Sequence, residues 1–336
     1  MGSETTPVAT TIENCPRGGR VMTLDEFVSR GWMDHATDAE GVMARLDQGV
    51  ALLTEAQQLP ALAGLITHVA GEHLGRWDDG IALLETLTRI PAFDPSTPEG
   101  KAVIRSQAIL HRCAGNHAAE ECCLAASKTG GTTPEASDRI RVLAVAASAL
   151  VGQKRLAEAS RDFDAAVALA SYGPEAKDPA ARALAVTGNN LAVELENRST
   201  LSREEQDLML RAARVGRDFW AIAGSWKEVE RAEYRLAMSH IKAGKAEPAL
   251  AHARRCLALV EDNGIDPGEA FFAHEAIARA HLAAEQTRAA RDERATMAEL
   301  LPKVADESFR AYCAGELAKL DDALAGAKAE QTVTGS

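Results

Sequence analysis

The sequence predicts an all-α protein, an elongated array of stacked helix-turn-helix hairpins. Three observations predict it. Aromatic residues make up only 4% of a chain that is 46% hydrophobic, and Ala, Leu and Glu dominate the rest, a bias toward helix formers and away from strand formers. No segment alternates apolar and polar residues as a half-buried strand would. A unit of helix, short turn and second helix recurs, with turns at GRWDDG (75–80), GNHAAE (115–120), GQKRLAEA (152–159), AGKAEPAL (243–250) and AEQTRAA (284–290).

The elements follow in order. Residues 1–22 are polar and rich in Thr, Pro and Gly, the composition of a disordered segment. Residues 23–325 form the repeat domain, and 326–336, GAKAEQTVTGS, read as a frayed tail. Four helices open with a hydroxyl followed three residues later by glutamate: Thr23/Glu26, Thr37/Glu40, Ser202/Glu205 and Ser225/Glu228. In that spacing the hydroxyl accepts from a backbone N–H while the carboxylate reaches back. Breaks are expected at 91–98, 129–134, 172–179, 197–202 and 263–268, where Gly, Pro and Asn cluster. GVMARLDQGVALLTEA (41–56) reads as an apolar second helix, ALAVTGNNLAVEL (183–195) as a first helix, and 203–222 as a long second helix ending in FWAIAGSW. There, Phe219, Trp220 and Trp226 are expected to wedge the joint between units. Gly75 and Gly115 stand 40 residues apart, and Gly115 and Gly152 stand 37 apart. A hairpin of that length cannot bury its apolar face alone and must stack on its neighbours.

The stretch AEYRLAMSHIKAGKAEPALAHARRCLAL (232–259) pairs Leu236 with Ala237, places Gly244 in the turn, and puts Ala249 and Ala253 where the second helix packs. With these residues the chain resembles the tetratricopeptide-repeat (TPR) superfamily, loosely over residues 40–325. It departs from that family in its longer period, against ~34 residues, and in lacking most of the consensus Trp and Tyr. The resemblance implies a right-handed α-solenoid with a groove lined by first helices. It also implies a protein- or peptide-binding scaffold or adaptor in the cytoplasm, with no cofactor and no catalytic residue.

Net charge is −12, which opposes binding to nucleic acid and to anionic membranes. No apolar run reaches membrane-spanning length, and the N-terminus lacks the apolar core of a secretory leader. Its first six residues fit a myristoylation pattern only formally. Six cysteines without a leader point to reduced thiols in the cytosol. Arginines outnumber lysines 27 to 10, which with the alanine bias suggests a GC-rich bacterial genome. Nucleotide-binding, zinc-hydrolase and serine-hydrolase motifs are missing.

Two sets of residues are candidate sites. On one first helix, Arg231, Arg235, Met238 and Lys242 share a face by their spacing. Arg231 and Arg235 are like charges four apart, mildly destabilising without a partner; a solvated face served by Glu228, Glu230 and Glu233 is the plainer alternative. Some peptide-binding members of the family clamp a terminal carboxylate with basic residues at the second and sixth positions of a first helix and an Asn on the preceding one. The resemblance carries these roles onto Arg231, Arg235 and Asn190, with Arg279, Arg105 and Arg112 facing the same side. The residues expected one unit earlier are missing around Val142 and Ala146. The occupant would be an acidic or carboxylate-ended protein segment.

The second candidate is HRCAGNHAAEECC (111–123). His111, Cys113 and His117 offer a soft-metal or small-ligand sensor as the alternative function. Against it, His111 and Cys113 point to opposite sides of the first helix, Cys122 and Cys123 diverge on the second, and no C-x-x-C or H-x-x-x-H spacing occurs. His111, His240 and His281 also recur at one repeat position, which favours a packing role.

Overall fold

The computed structural model describes residues 22–127 and 135–334. The disordered segment expected at 1–22 and the break at 129–134 lie essentially outside them. Among the described residues the chain is helical with no strand. The order is α1 (Leu24–Asp34), α2 (Ala39–Met43), α3 (Leu46–Ala51), α4 (Leu59–Ile66) running into a π-helix (Thr67–His73), then α5 (Trp77–Leu87). Next come α6 (Pro98–Cys113), α7 (His117–Ser127), α8 (Glu135–Gly152), α9 (Leu156–Leu169), α10 (Pro179–Glu196) and α11 (Arg203–Ala223). The chain continues through α12 (Trp226–Lys242), α13 (Ala246–Asn263), α14 (Pro267–Ala283), α15 (Thr287–Leu300) and α16 (Glu307–Thr334). Helix α16 carries on through the stretch expected as a frayed tail, whose Ala, Lys, Glu and Gln are good helix formers. No described helix is long and apolar enough to cross a membrane.

From α4 onward the helices pair as hairpins, α4/α5, α6/α7, α8/α9, α10/α11, α12/α13 and α14/α15, with α16 covering the last. Each first helix also packs on the next first helix, whereas consecutive second helices touch far more sparsely. The first-helix row is therefore the tighter side of the array, the arrangement expected of an inner face. Small residues allow this approach. Ala144, Ala147, Ala159, Ala166, Ala180 and Ala192 are buried in one central core around Phe163. Where α10 crosses α11, Gly188 and Gly216 abut, and a Cβ on Gly188 would meet the Gly216 nitrogen at 2.5 Å.

Four of the six hairpin turns share one cap. Gly115, Lys154, Gly244 and Glu285 all have positive φ. In each case the next residue's N–H reaches back five: Asn116 to the His111 carbonyl, Arg155 to Leu150, Lys245 to His240 and Gln286 to His281, at 2.8–2.9 Å. This is the Schellman closure of a helix C-terminus. It explains why the three histidines recur: they hold the same position before the turn. His240 and His281 are buried, His240 stacks on His252 at 5.4 Å, and His281 bonds Gln286. Burial lowers the proton affinity of His240, to a pKa of about 4. Two of the four turns place an L side chain in the left-handed region, which costs ~1–2 kcal/mol each. Lys154→Gly and Glu285→Gly, both at exposed positions, should therefore each stabilise the protein by about 0.5–1 kcal/mol after the entropy that glycine loses on folding, read as a higher midpoint in urea.

Three of the four expected capping boxes form, at Thr23, Ser202 and Ser225. The fourth does not. Asp38 caps α2 by accepting from Gly41 N–H, while the Thr37 hydroxyl donates to the Asp34 carbonyl. A carboxylate one residue closer to the helix displaces the hydroxyl. Residues 41–56 are not one second helix either. They divide into the end of α2, α3 and a coil before a 3-10 turn, because Val42, Met43 and Leu46 must all bury against α1 and α4.

Candidate peptide-docking face

On the first-helix row the four candidate residues of α12 do not form a free cationic strip. Arg231 donates through Nη2 to Glu269 Oε1 of α14 at 2.5 Å. Arg235 pairs with Glu196 of α10, whose other oxygen accepts the Ser239 hydroxyl at 2.5 Å. The Lys242 ammonium donates to the carbonyl of Arg198, and Met238 is half-buried. Arg279 of α14 bonds Glu275 at 2.6 Å and reaches Glu316 of α16 at 3.3 Å. Asn190 is exposed on α10 and accepts from its neighbour Asn189. Arg105 bridges to Asp138 of α8 at 3.1 Å, one more rung in the same row. Arg112 turns instead to Asp162 of the second helix α9, at 2.5 Å.

The like charges at 231 and 235 are thus satisfied, but not by the nearby glutamates that the α12 sequence offers. Glu230 accepts the Cys256 thiol at 2.7 Å, and Glu233 binds Arg217 at 2.8 Å and His252 at 2.7 Å on the second-helix side. Partners for Arg231 and Arg235 come from helices nearly forty residues away, in both directions. Burial dominates this layer. It raises the Glu196 and Glu275 carboxyls above the usual carboxylate range despite their arginines, lifts the Tyr234 hydroxyl far up, and pushes Glu230, beside Glu269, up to about 7. Arg231 is the exception, with a side chain 66% exposed over a nearly buried Glu269.

Three residues along α12 from Arg231, Tyr234 begins an aromatic ladder that the sequence alone did not assemble. Tyr234 of α12 meets Phe272 of α14 edge-on at 6.0 Å. Phe272 in turn meets Phe309 at 5.8 Å and Tyr312 at 6.0 Å, both on α16. Phe309 and Tyr312 are 39% and 58% exposed. Gly268 makes room for this, since a Cβ there would meet the Phe309 ring at 2.6 Å. The Tyr234 hydroxyl is anchored on Glu275 at 3.1 Å. The available signal was Phe309 and Tyr312 three apart on one helix face, in a chain this poor in aromatics.

His111, Cys113 and His117 go separate ways. Cys113 is fully buried against Ala146, and burial pushes its thiol up to about 12, so it is not an exposed thiol. His117 is exposed and shares Glu120 with Arg112. His111 keeps its Nδ1 buried at the turn. Phe219 packs on the central core as the joint wedge expected of it, while Trp220 lies under the Arg182 guanidinium at 5.2 Å.

Compared with protein-family models and with curated proteins, the chain matches none, so its function is argued from its own geometry.

Proposed function

We propose that the protein is a TPR-like scaffold that docks an acidic segment of a partner protein across the first-helix face of α12, α14 and α16. The observation that carries this reading is the exposed Phe309–Tyr312 pair, continuous with Phe272 of α14, the helix whose Glu269 holds the exposed Arg231. Exposed aromatic rings in a row cost solvation free energy, and they supply contact area at small entropy loss when covered. Arg231 already spends Nε and Nη2 on Glu269, yet a guanidinium carries five N–H donors and can take a second carboxylate. Recognition would thus be apolar in affinity and ionic in orientation. Of the residues first singled out, Arg231 keeps its binding role in this proposal. Arg235, Lys242 and Arg279 hold the helices that present it, and Asn190 and Met238 lie along the continuing row.

Binding of labelled peptides of about a dozen residues, varied in acidic and aromatic content and with free or amidated C-termini, tests this by fluorescence polarisation. Acidic peptides carrying apolar side chains should bind. Phe309→Ser with Tyr312→Ser should weaken them at least ~10-fold, the scale of a hot-spot loss. Arg231→Gln should remove the preference for acidic over neutral peptides. Equal binding by the aromatic double variant, or no preference for acidic peptides in the parent, would defeat the reading.

A further inference from the structure

A second cluster lies at the other end of the chain, where α1 meets the first hairpin. His35 follows α1, and His68 and His73 lie on the π-helix. One nitrogen from each falls within 4.8 Å of the others, the one trio of potential metal ligands among the described residues. The Nε2 atoms of His68 and His73 are 3.1 Å apart. Two imidazoles on a tetrahedral ion with ~2.0–2.1 Å bonds stand about 3.3 Å apart. The ring centroids of all three pairs are 4.8–4.9 Å apart with planes crossing at 62–89°, so no two of the rings are stacked.

The backbone explains why spacing alone hid this site. Residues five apart on an α-helix point about 140° away from each other. On a π-helix, whose bonds run from i to i+5, they come round to the same side, as residues four apart do on an α-helix. The Leu74 N–H accordingly bonds the Val69 carbonyl. The Thr67 hydroxyl donates to the Ala63 carbonyl at 2.7 Å where the ladder changes. The segment is held from α8: the Gln153 amide donates to the Glu72 carbonyl at 2.8 Å, and Gly152 allows that carbonyl an approach that a Cβ would block.

Orientation of the rings is equally defined. His35 Nδ1 lies 2.7 Å from the Trp32 carbonyl, an acceptor, so Nδ1 carries the proton and Nε2 is left with its lone pair. His68 Nδ1 lies 3.1 Å from Glu72 Oε2, the carboxylate–histidine arrangement that fixes ring and tautomer around a metal. Trp32 stands 4.9 Å from His68 and screens one side.

We propose that His35, His68 and His73 bind a divalent first-row transition ion of imidazole preference, zinc-like in chemistry, with Glu72 orienting His68. Three nitrogens leave a fourth position for water or an external ligand. Because His35 belongs to the end of α1 and the other two to the first hairpin, the ion would staple the N-terminal helix to the array.

The test is calorimetric titration of the full untagged chain with zinc at neutral pH, alongside thermal melts with and without zinc. One ion per chain should bind with a dissociation constant of micromolar order, and zinc should raise the melting temperature. His68→Ala with His73→Ala should abolish both effects. Glu72→Gln should weaken binding about 10–100-fold. His35→Gln, outside the π-helix, should also weaken it at least ~10-fold and serves if the double variant misfolds. Absence of saturable zinc binding below about 100 µM, or binding that His35→Gln and Glu72→Gln leave unchanged, would overturn the proposal.

Discussion

Glu196→Ala should lower the unfolding free energy by about 3 kcal/mol, the lower end of the range for breaking a buried ion pair. Glu196 is almost fully buried between α10 and α12, where it holds Arg235 and the Ser239 hydroxyl. Without it, Arg235 keeps a charge that is only 23% exposed, with a buried Nε already lacking a partner. The lower end of the range is expected because that residual exposure lets water reach the guanidinium. Burial raises the Glu196 carboxyl even beside Arg235 and Lys242, so desolvation consumes much of what the pairing returns. Glu196→Met combined with Arg235→Met should then cost far less than Glu196→Ala alone. Chemical denaturation of the single and double variants measures this; a double variant as unstable as the sum of its singles would show that the pair is not coupled. The same result bears on function. Charge reversal at Arg235 would damage the fold and so cannot report on docking, whereas the exposed Arg231 can.

Gly188→Ala is expected to destabilise by about 1–2 kcal/mol, although local propensity favours the change by ~1 kcal/mol. Overpacking a tight contact costs ~1–3 kcal/mol, and here the obstruction is backbone. An added Cβ would lie 2.5 Å from the Gly216 nitrogen, 2.6 Å from the Ala212 carbonyl and 2.8 Å from the Gly216 Cα. No rotamer relieves such a clash, so α10 and α11 must separate along a contact that runs their length. Urea denaturation of Gly188→Ala against Gly64→Ala, where a Cβ meets nothing within 4 Å, isolates the effect: the first should lose stability and the second gain or hold it. A stabilised Gly188→Ala would mean that the crossing is looser than the structure has it.

Much of the architecture was legible because it is locally encoded. Helix-forming composition, the caps at Thr23, Ser202 and Ser225, and the turns at Gly115 and Gly244 are decided within a few residues of chain, and the periodicity of those signals predicts hairpins. The sequence also placed Arg231, Arg235 and Met238 on a single helix, and the recurrent histidines at a single turn position.

What the tertiary structure alone decided concerns partners brought from far along the chain and departures from α geometry. Whether Arg235 is a free ligand clamp or a structural strut depends on Glu196, which the stacking of α10 on α12 supplies; no local rule prefers it over Glu233. Tyr234, Phe272 and Tyr312 form a ladder only because α12, α14 and α16 lie side by side. His68 and His73 face one another only because the backbone between them is π rather than α, and His35 joins them only through the packing of α1 on α4. Helix and turn preferences are short-range free energies that each segment carries with it. Ion pairing, ring contact and ligand convergence exist only once burial has set the distances between segments.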